Sequence, residues 1–514
     1  MQVYTDILKE KLLIWLGEEF LHFGIANSLQ KFDYDLYAVI ANPNPGPKKF
    51  HQNQKIVNFS KSWFVNDNVT TNFKKPDMDY LTSFENQFGI SIWKIAYSER
   101  YFYRKHNPFH IFSLDEILFI LEQECKLFEK ILEEIKPDYF LVSTITNHPK
   151  FLLYSMCKAK NISILTLESS RFKGKSFISS TIAKVDHTEK FVNCTTGKIT
   201  SEKDAFDHMI NFRPPSRNVY DNTSKISKFE KITALANFII NPINEDSKNE
   251  YLHYGKTKTK ILKETSGFSR LRKIEKRESF IDEHFKKELD FSKPFMYYPL
   301  QAEPERELYI QAPYFTDQIS LIKNIAKSIP VNSVLFVKEH PVMKKHAGWR
   351  ELDFYKQLMD LPNVVLIHPS VDSHELIKHC DLVLTISGDA AFEAGFYKKS
   401  AVIFSDPDYL VLSNVFQVKN LNDLPLIISK ALKFNCDTSE LVKFVNYLEQ
   451  NSFEFDRVGY FTDVNNYFHY VGFSEEVKIT DSKMLDFLKK YKQVFNILSY
   501  EHDKKIKEKK SKTK

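Results

Sequence analysis

Short apolar runs alternate with helical patterns in roughly the first third of the chain. The runs "KLLIWL" and "YDLYAVI" predict buried strands, and "FLHFGIANSLQ" between them predicts a helix. Farther along, Ser113 and Glu116 have the spacing of a capping box, and Pro137 ends that helical run just before an apolar strand at Tyr139–Val142. The pattern therefore predicts a β-α-β series.

A second and more regular alternation fills the C-terminal half. Helical stretches begin near Thr316, Trp349, Ser373 and Asp389 and separate the apolar runs. The runs that predict strands are Phe295–Leu300, Val334–Lys338, Val364–Ile367, Leu382–Ile386 and Ala401–Phe404. Such alternation favours right-handed crossovers and a parallel, doubly wound sheet.

The predicted fold class is therefore α/β, with two Rossmann-like domains facing a cleft and C-terminal helices packing back against them. We expect an N-terminal domain over 1–187, a mostly helical inter-domain region over 188–290, a second domain over 291–435, C-terminal helices over 436–501 and a disordered basic tail over 502–514.

Composition narrows the class of protein. A chain of 514 residues with 43% hydrophobic content is long enough for two cores. The five cysteines are scattered and never form a C-x-x-C pair, which argues against a disulfide framework and a zinc site and favours a reducing cytoplasm. No apolar run approaches the roughly 20 residues of a membrane span. We expect a cytoplasmic protein.

The formal net charge of +6 lies mostly at the end of the chain. Residues 503–514 contain seven lysines and two acids, so the remainder is nearly neutral. This distribution argues against nucleic acid as a partner. A lysine-rich terminus is usually a solvated, disordered end, but it also suits peripheral contact with the anionic inner membrane.

Charged residues directly follow one of the predicted buried strands. Lys338, Glu339 and His340 come before Pro341, at the carboxyl end of a parallel strand, where ligands bind in sheets of this kind. A lysine and a histidine at that position are suited to neutralise a phosphate. The alternative is an ordinary loop histidine, because His-Pro also occurs at residues 148–149 and 368–369.

A serine-glycine turn follows another strand. Ser387 and Gly388 precede a helix that begins near Asp389, and a glycine allows close approach of a ligand to the backbone. Glu393, one turn into the helix, is suited to accept hydrogen bonds from ribose hydroxyls. The alternative is that Ser387 or Asp389 only caps the helix and that Glu393 is surface charge.

The stretch from Tyr297 to Tyr409, with "VLFVKEHP" and "LTISGDAAFEAGF" in this order, resembles the nucleotide-binding half of bacterial capsule polysaccharide biosynthesis proteins. That family includes Kdo-transferase-like glycosyltransferases with the GT-B fold. Upstream of this stretch the resemblance is looser and rests mainly on "KPDYFLVS" and "LESSRFKG".

The resemblance implies a nucleotide-sugar donor, CMP-linked, in the C-terminal domain and an acceptor glycan in the N-terminal domain. It implies no other cofactor. The implied contacts are Lys338 and His340 with the donor phosphate, Ser387 and Gly388 around it, Asp389 beside them, Glu393 with the ribose, and Gln301 and Glu305 facing the cleft.

The chain also departs from the family pattern at three places. Glu303 replaces a more usual glutamine, Asp389 stands where a small hydroxyl residue is common, and "YKKS" replaces Gly-Lys-Pro before the last strand. These departures bear on the identity of the donor more than on the fold.

The residues that act on the acceptor are less clearly marked. Glu18 and Glu19 follow the first strand, and adjacent carboxylates raise one another's pKa, which suits a general base. They are equally suited to the first turn of the next helix. Arg171 is a candidate for binding an anionic donor or acceptor, or an ordinary surface arginine. No His, Asp or Cys cluster has metal-ligand spacing, so we expect a metal-independent reaction.

The favoured function is a glycosyltransferase that adds a sugar, possibly Kdo-like, to a surface or capsular polysaccharide or its lipid-linked acceptor. One alternative is a CDP-glycerol-type glycerophosphotransferase, which has a similar architecture. The other is a non-catalytic nucleotide- or glycan-binding scaffold.

Overall fold

Two β-sheets organise the chain in this computed structural model. The structure describes residues 9–42, 44–194, 197–212, 250–265, 267–347, 349–468 and 479–513. Helices and strands are numbered along these residues.

The first sheet is built mainly from the N-terminal half. Its first six strands are β1 (Glu10–Leu16), β2 (Tyr34–Ile40), β3 (Lys61–Phe64), β4 (Tyr139–Ser143), β5 (Ser163–Ser169) and β6 (Lys175–Ser179). They lie in the order β6-β5-β4-β1-β2-β3, and all are parallel except β6, which runs antiparallel to β5. β1 and β4 are apolar and buried because helices cover both faces of the sheet.

Within the described residues, seven α-helices lie between these strands along the chain. They are α1 (Leu21–Leu29), α2 (Pro45–Asn53), α3 (Val65–Asn68), α4 (Met78–Phe88), α5 (Ile92–Ala96), α6 (Leu114–Ile135) and α7 (His148–Ala159). The predicted capping box is confirmed at the start of α6, where the Glu116 backbone N–H donates to Ser113 Oγ and the Glu116 carboxylate accepts from the Ser113 backbone N–H. The residues between β2 and α6, for which no element is predicted from the sequence, contain β3 and α2–α5.

The described parts of the middle region are mostly helical, with turns between the helices. A 3₁₀ helix covers Thr188–Asn193, followed by α8 (Glu202–Phe212), α9 (Lys258–Thr265) and α10 (Gly267–His284). Residues 213–249 of the predicted inter-domain region lie outside the described residues. Parts of the region pack in different cores, because Tyr251 packs in the first domain while Ile281 and Phe285 pack in the second.

The second sheet is entirely parallel. Its strands are β7 (Phe295–Pro299), β8 (Val334–Lys338), β9 (Val364–Ile367), β10 (Leu382–Thr385), β11 (Ser400–Ile403) and β12 (Val415–Gln417), in the order β12-β11-β10-β7-β8-β9. The helices are α11 (Gln318–Ser328), α12 (Val342–Ala347), α13 (Leu352–Met359), α14 (Ser373–His379), α15 (Ala390–Phe396) and α16 (Leu424–Lys433). The strand order reverses between β7 and β10, and this switch point opens a crevice at the carboxyl edge of the sheet.

Most of the C-terminal segment packs against the first domain. It contains α17 (Ser439–Gln450), β13 (Phe453–Glu454), α18 (Arg457–Phe468), α19 (Asp481–Lys490) and α20 (Lys492–Thr513). β13 pairs with β6 as the seventh strand of the first sheet, and α20 packs against α1. Gly24 permits that contact, because a Cβ there would lie 2.3 Å from the ring of Phe495. The predicted α/β architecture of two parallel-sheet domains with helices packing back is confirmed.

The prediction of a disordered tail over 502–514 is wrong for the described part of that segment. α20 continues to Thr513, and Asp503 and Ile506 are buried. The hydroxyl of Tyr34 donates to Asp503 Oδ1 at 2.7 Å, and Lys510 pairs with Glu10. The high lysine content led to the prediction of disorder, but residues at helical spacing between the lysines face the first domain: Leu498, His502 and Ile506.

None of the helices within the described ranges combines the length and the apolar composition needed to cross a bilayer.

Candidate functional site

A cavity of about 1040 Å³ lies at the switch point of the second sheet. The first domain contributes to its wall through Ser169, Ser170 and Arg171, at the end of β5 and directly after it. Its lining includes all nine residues expected to contact the nucleotide: Arg171, Gln301, Glu305, Lys338, His340, Ser387, Gly388, Asp389 and Glu393. The fold thus brings together, in one cavity, candidate residues that are up to 222 positions apart in the sequence.

Lys338 and His340 occupy the rim of this cavity. Lys338 is the last residue of β8, and its Nζ donates to Ser373 Oγ at 2.7 Å. The Nδ1 atom of His340 accepts from the backbone N–H of Val342 at 3.2 Å. A neutral His340 therefore carries its proton on Nε2, which is the tautomer suited to donate a hydrogen bond from the other side of the ring.

Glu339, between them, has a structural role. It is 1% exposed, and its carboxylate accepts from Arg350 Nε at 2.8 Å and from the hydroxyl of Tyr355 at 2.7 Å. It also accepts from the backbone N–H of His340 at 2.6 Å. Glu339 therefore anchors the segment that carries Lys338 and His340.

Arg350 extends this anchor to the loop after β7. It pairs with Glu303 Oε1 at 2.8 Å and donates to the backbone carbonyl of Gln301. Burial alone would lower the pKa of Arg350, but Glu339 and Glu303 raise it above its ordinary value. Glu303 also pairs with Lys105, so the glutamate that departs from the family pattern belongs to an ion-pair network. Sequence reasoning missed Arg350, because its partners are not at helical or strand spacing.

The Ser387–Gly388 turn is closely packed. The backbone N–H of Gly388 donates to Thr385 Oγ1 at 3.1 Å, and Gln301 Nε2 donates to the same oxygen at 2.9 Å. A Cβ on Gly388 would lie 2.7 Å from Thr385 Oγ1 and 2.8 Å from Gln301 Nε2. The hydroxyl oxygen of Ser387 is buried and has no hydrogen-bond partner within the described part of the chain. A side chain at position 388 would therefore displace Thr385 or Gln301, and the turn holds one buried hydroxyl without a partner among the described residues.

The helix after the turn does not use the caps considered from sequence. Asp389 stands before α15 without a side-chain hydrogen bond to the helix, and Ser387 makes none either. Glu393 is 8% exposed and is therefore not a surface charge. Glu305, in the loop after β7, is partly buried at the edge of the cavity.

Arg171 is not an ordinary surface arginine. Its side chain is 16% exposed, its Nε donates to Asp408 Oδ1 at 2.9 Å, and it also pairs with Asp389. Burial would lower the pKa of the guanidinium, but Asp408 and Asp389 raise it above its ordinary value. The structure therefore pairs Arg171 with two carboxylates of the second domain.

Glu18 and Glu19 lie at the carboxyl edge of the first sheet and are not among the residues that line the cavity. Burial and then the charge of Glu19 raise the pKa of Glu18 to about 7. Burial also acts to raise the pKa of Glu19, but Lys150 and several weaker contacts lower it to about 2. Neither residue is in the first turn of α1, which begins at Leu21. Burial and the neighbouring charges therefore shift the pKa values of the two carboxyls in opposite directions.

Charged side chains link this pair to the cavity. Glu168, at the end of β5, accepts from Arg306 Nη1 at 3.0 Å and from Thr144 Oγ1 at 3.0 Å. Arg306 lines the cavity, and Lys150 attracts both Glu168 and Glu19. Burial lowers the pKa of Lys150 by more than these carboxylates raise it, so the pKa is below its ordinary value. Glu168 was within a motif noted in the sequence, but nothing there distinguished it from a surface acid.

The three His-Pro dipeptides have three different settings. His340 is at the cavity, whereas His368 lies 3.2 Å from Asp282. His148 is fully buried, with Nδ1 2.8 Å from Glu99 and Nε2 3.0 Å from Glu124. Burial would lower its pKa, but the two glutamates raise it to about 9.

Within the described ranges, no group of three or more His, Cys, Asp or Glu side chains is arranged to hold a metal ion.

A family model described as "Capsule polysaccharide biosynthesis protein" matches residues 213–412. This part of the chain is similar to the capsule polysaccharide biosynthesis family. The match covers about two-fifths of the chain and includes β7–β11, so the resemblance expected from the sequence is confirmed. A search of curated protein sequences gives no match.

Several solved structures are similar to the chain at low identity. The UDP-GlcNAc 2-epimerase of Methanocaldococcus jannaschii is 16% identical, covers 86% of this chain and 98% of its own, and gives a TM-score of 0.24. The Thermosulfurimonas dismutans KpsC β-Kdo 2,7 transferase is 14% identical, covers 73% and 97%, and gives 0.29. The KpsC β-Kdo 2,4 transferase of the same organism is 11% identical, covers 60% and 79%, and gives 0.30. Values this low do not bear on the chain's activity.

Proposed function

We propose that the protein is a glycosyltransferase of capsule or surface polysaccharide synthesis. It transfers a sugar from a nucleotide-sugar donor, CMP-linked, to a polysaccharide or its lipid-linked acceptor. The donor binds in the cavity of the second domain, and the acceptor binds against the first domain. The reaction uses no metal ion, because Lys338, His340 and the loop backbone stabilise the leaving phosphate.

The observation that carries this proposal is the composition of the cavity wall. Lys338 and His340 stand at the end of one strand, and the Ser387–Gly388 turn stands at the end of another. The buried Ser387 hydroxyl, which has no partner among the described residues, is suited to donate to a phosphate oxygen. The family match covers all these positions.

The acceptor side rests on Glu18. A carboxyl with a pKa of about 7 is suited to take the proton of an incoming hydroxyl near neutral pH. Glu19 stays ionised beside it, and Glu168 with Arg306 continues the polar surface toward the cavity.

Contact with the inner face of the cytoplasmic membrane belongs to the same proposal, because a lipid-linked acceptor would be found there. Lys504 and Lys507 on α20 are about half or more exposed. Co-sedimentation with anionic vesicles tests this part, and loss of binding in Lys504→Glu/Lys507→Glu is expected.

A thermal-shift screen of CMP, CDP, UDP and GDP tests the donor assignment. A nucleotide at 100 times its Kd stabilises the folded protein by about 2.7 kcal/mol. We expect CMP to give the largest shift, and turnover of CDP-glycerol alone would instead support a glycerophosphotransferase. Binding without donor hydrolysis or transfer would support a non-catalytic scaffold.

His340→Ala tests the mechanism, with His368→Ala as the matched control. We expect the first variant to lose transfer while its circular dichroism spectrum is unchanged. The second should retain turnover, since His368 does not line the cavity. Near-wild-type turnover of a folded His340→Ala protein would remove His340 from the reaction.

A further inference from the structure

Arg171 joins the first domain to the part of the second domain that forms the serine-glycine turn. It follows β5, and its guanidinium pairs with Asp389, directly after Gly388, and with Asp408, after β11. Asp408 is 3% exposed, so this contact is shielded from water. A buried charge-assisted contact of this kind depends strongly on geometry.

The same arginine contacts the residue that binds the backbone of the turn. Its guanidinium carbon lies 4.4 Å from the centre of the Tyr409 ring. The hydroxyl of Tyr409 donates to the backbone carbonyl of Gly388 at 2.8 Å and to that of Ser387 at 3.3 Å. Arg171 therefore contacts both Asp389, at the end of the turn, and the tyrosine whose hydroxyl binds the carbonyls of the turn.

We propose that Arg171 is a positioning residue that keeps the Ser387–Asp389 turn in its binding geometry through a contact between the two domains. Arg171 acts through Asp389, Asp408 and Tyr409. Its guanidinium is paired with the two carboxylates and does not itself contact the donor phosphate. Donor affinity therefore depends on a contact between domains. This inference rests on the proposed function only in naming the nucleotide as the ligand of the turn.

A double-mutant cycle separates this role from direct contact with phosphate. We expect Arg171→Ala and Asp408→Asn each to weaken nucleotide binding on the order of tenfold, and the double variant to be no weaker than either. If Arg171 instead binds phosphate directly, Asp408→Asn leaves affinity unchanged or improves it, because it releases the guanidinium. That result, or additive losses, would overturn the proposal. Binding is measured by calorimetry with the nucleotide that stabilises the wild-type protein most.

Lys184 offers a matched control. It forms another ion pair between the domains, with Asp406 at 2.5 Å, and neither residue lines the cavity. Lys184→Ala should leave nucleotide affinity unchanged, and a loss equal to that of Arg171→Ala would mean that any contact between domains suffices, which contradicts the proposal. Arg171→Lys should recover part of the affinity, because it restores the charge without the two-pronged geometry.

Hydrogen exchange tests the inference without any nucleotide. In the ligand-free protein, Arg171→Ala should speed exchange of the backbone amides over 387–391, whereas Lys184→Ala should not. If none of the four nucleotides binds, the proposed function fails, yet faster exchange still supports the positioning role. Unchanged exchange at the turn in Arg171→Ala overturns it.

Discussion

Arg350→Met should destabilise the second domain strongly. Arg350 is 6% exposed and supplies the positive charge between Glu339 and Glu303, each 2.8 Å away. The substitution preserves much of the volume of the side chain but removes the charge. Both carboxylates then lose their main charged partner, and Glu339 has no access to water.

The contacts that remain set the magnitude. Removing one partner of a buried ion pair costs about 3–5 kcal/mol, because the other charge is left uncompensated. Glu339 keeps the hydroxyl of Tyr355 and the backbone N–H of His340, so the lower end of that range applies. At roughly 2–4 °C per kcal/mol for a domain of this size, the Tm should fall by about 6–12 °C.

The assay is thermal unfolding followed by circular dichroism for three variants. Arg350→Met/Glu339→Gln should recover more than half of the lost Tm, since it leaves no charge on Glu339 to be compensated. Lys344→Ala is the control, because its pair with Glu278 is at the surface, where such pairs contribute little. A fall below about 2 °C in Arg350→Met, or a double variant less stable than the single one, would refute the reasoning.

The remaining predictions concern pH. A general base works only when it is deprotonated, so turnover that depends on Glu18 should fall as the pH drops through about 7. Glu18→Gln should lower turnover by about 10²–10⁴-fold without changing nucleotide affinity. If that variant has the same pH profile as the wild-type protein, Glu18 is not the general base. His148 has a folded-state pKa of about 9, raised from 6.5, so its stabilising contribution is complete below pH 6.5 and is lost as the pH rises to about 9. The difference in Tm between wild-type protein and His148→Asn should therefore shrink over that interval, and a difference that grows would show that His148 is neutral when folded.

The strands of the second domain were predictable because each is a short apolar run buried on both faces. Val334–Lys338 and Val364–Ile367 agree with the structure at both ends, and the other predicted runs shift by only a residue or so. β12 and β13 were not predicted, because strands of three and two residues are too short to show a hydrophobic pattern in the sequence. They exist because neighbouring strands provide backbone partners.

The residues that line the cavity of the second domain were predictable for a different reason. In a parallel sheet the carboxyl ends of the strands meet at one edge, so charged residues that follow separate strands converge. The partners of those residues were not predictable, because they are distant in sequence. Arg171 and Asp408 are 237 positions apart, and Lys105 and Glu303 are 198 apart. A local sequence pattern does not indicate contacts between residues this far apart. The proposed role of Arg171 depends on such contacts, so it could not be inferred from the sequence.

The charged residues at the end of β8 have two different roles, which the sequence motif alone does not distinguish. Neighbouring side chains on a strand point to opposite faces, so Lys338 meets Ser373 of α14 while Glu339 meets Arg350 and Tyr355 on the side of α13. The lysine is suited to a ligand, whereas the glutamate needs its buried arginine to be tolerated at all. A loss of activity in a Glu339 variant would therefore reflect displacement of Lys338 and His340, and it should be accompanied by a lower Tm, which a variant of a residue that only contacts the ligand should not show.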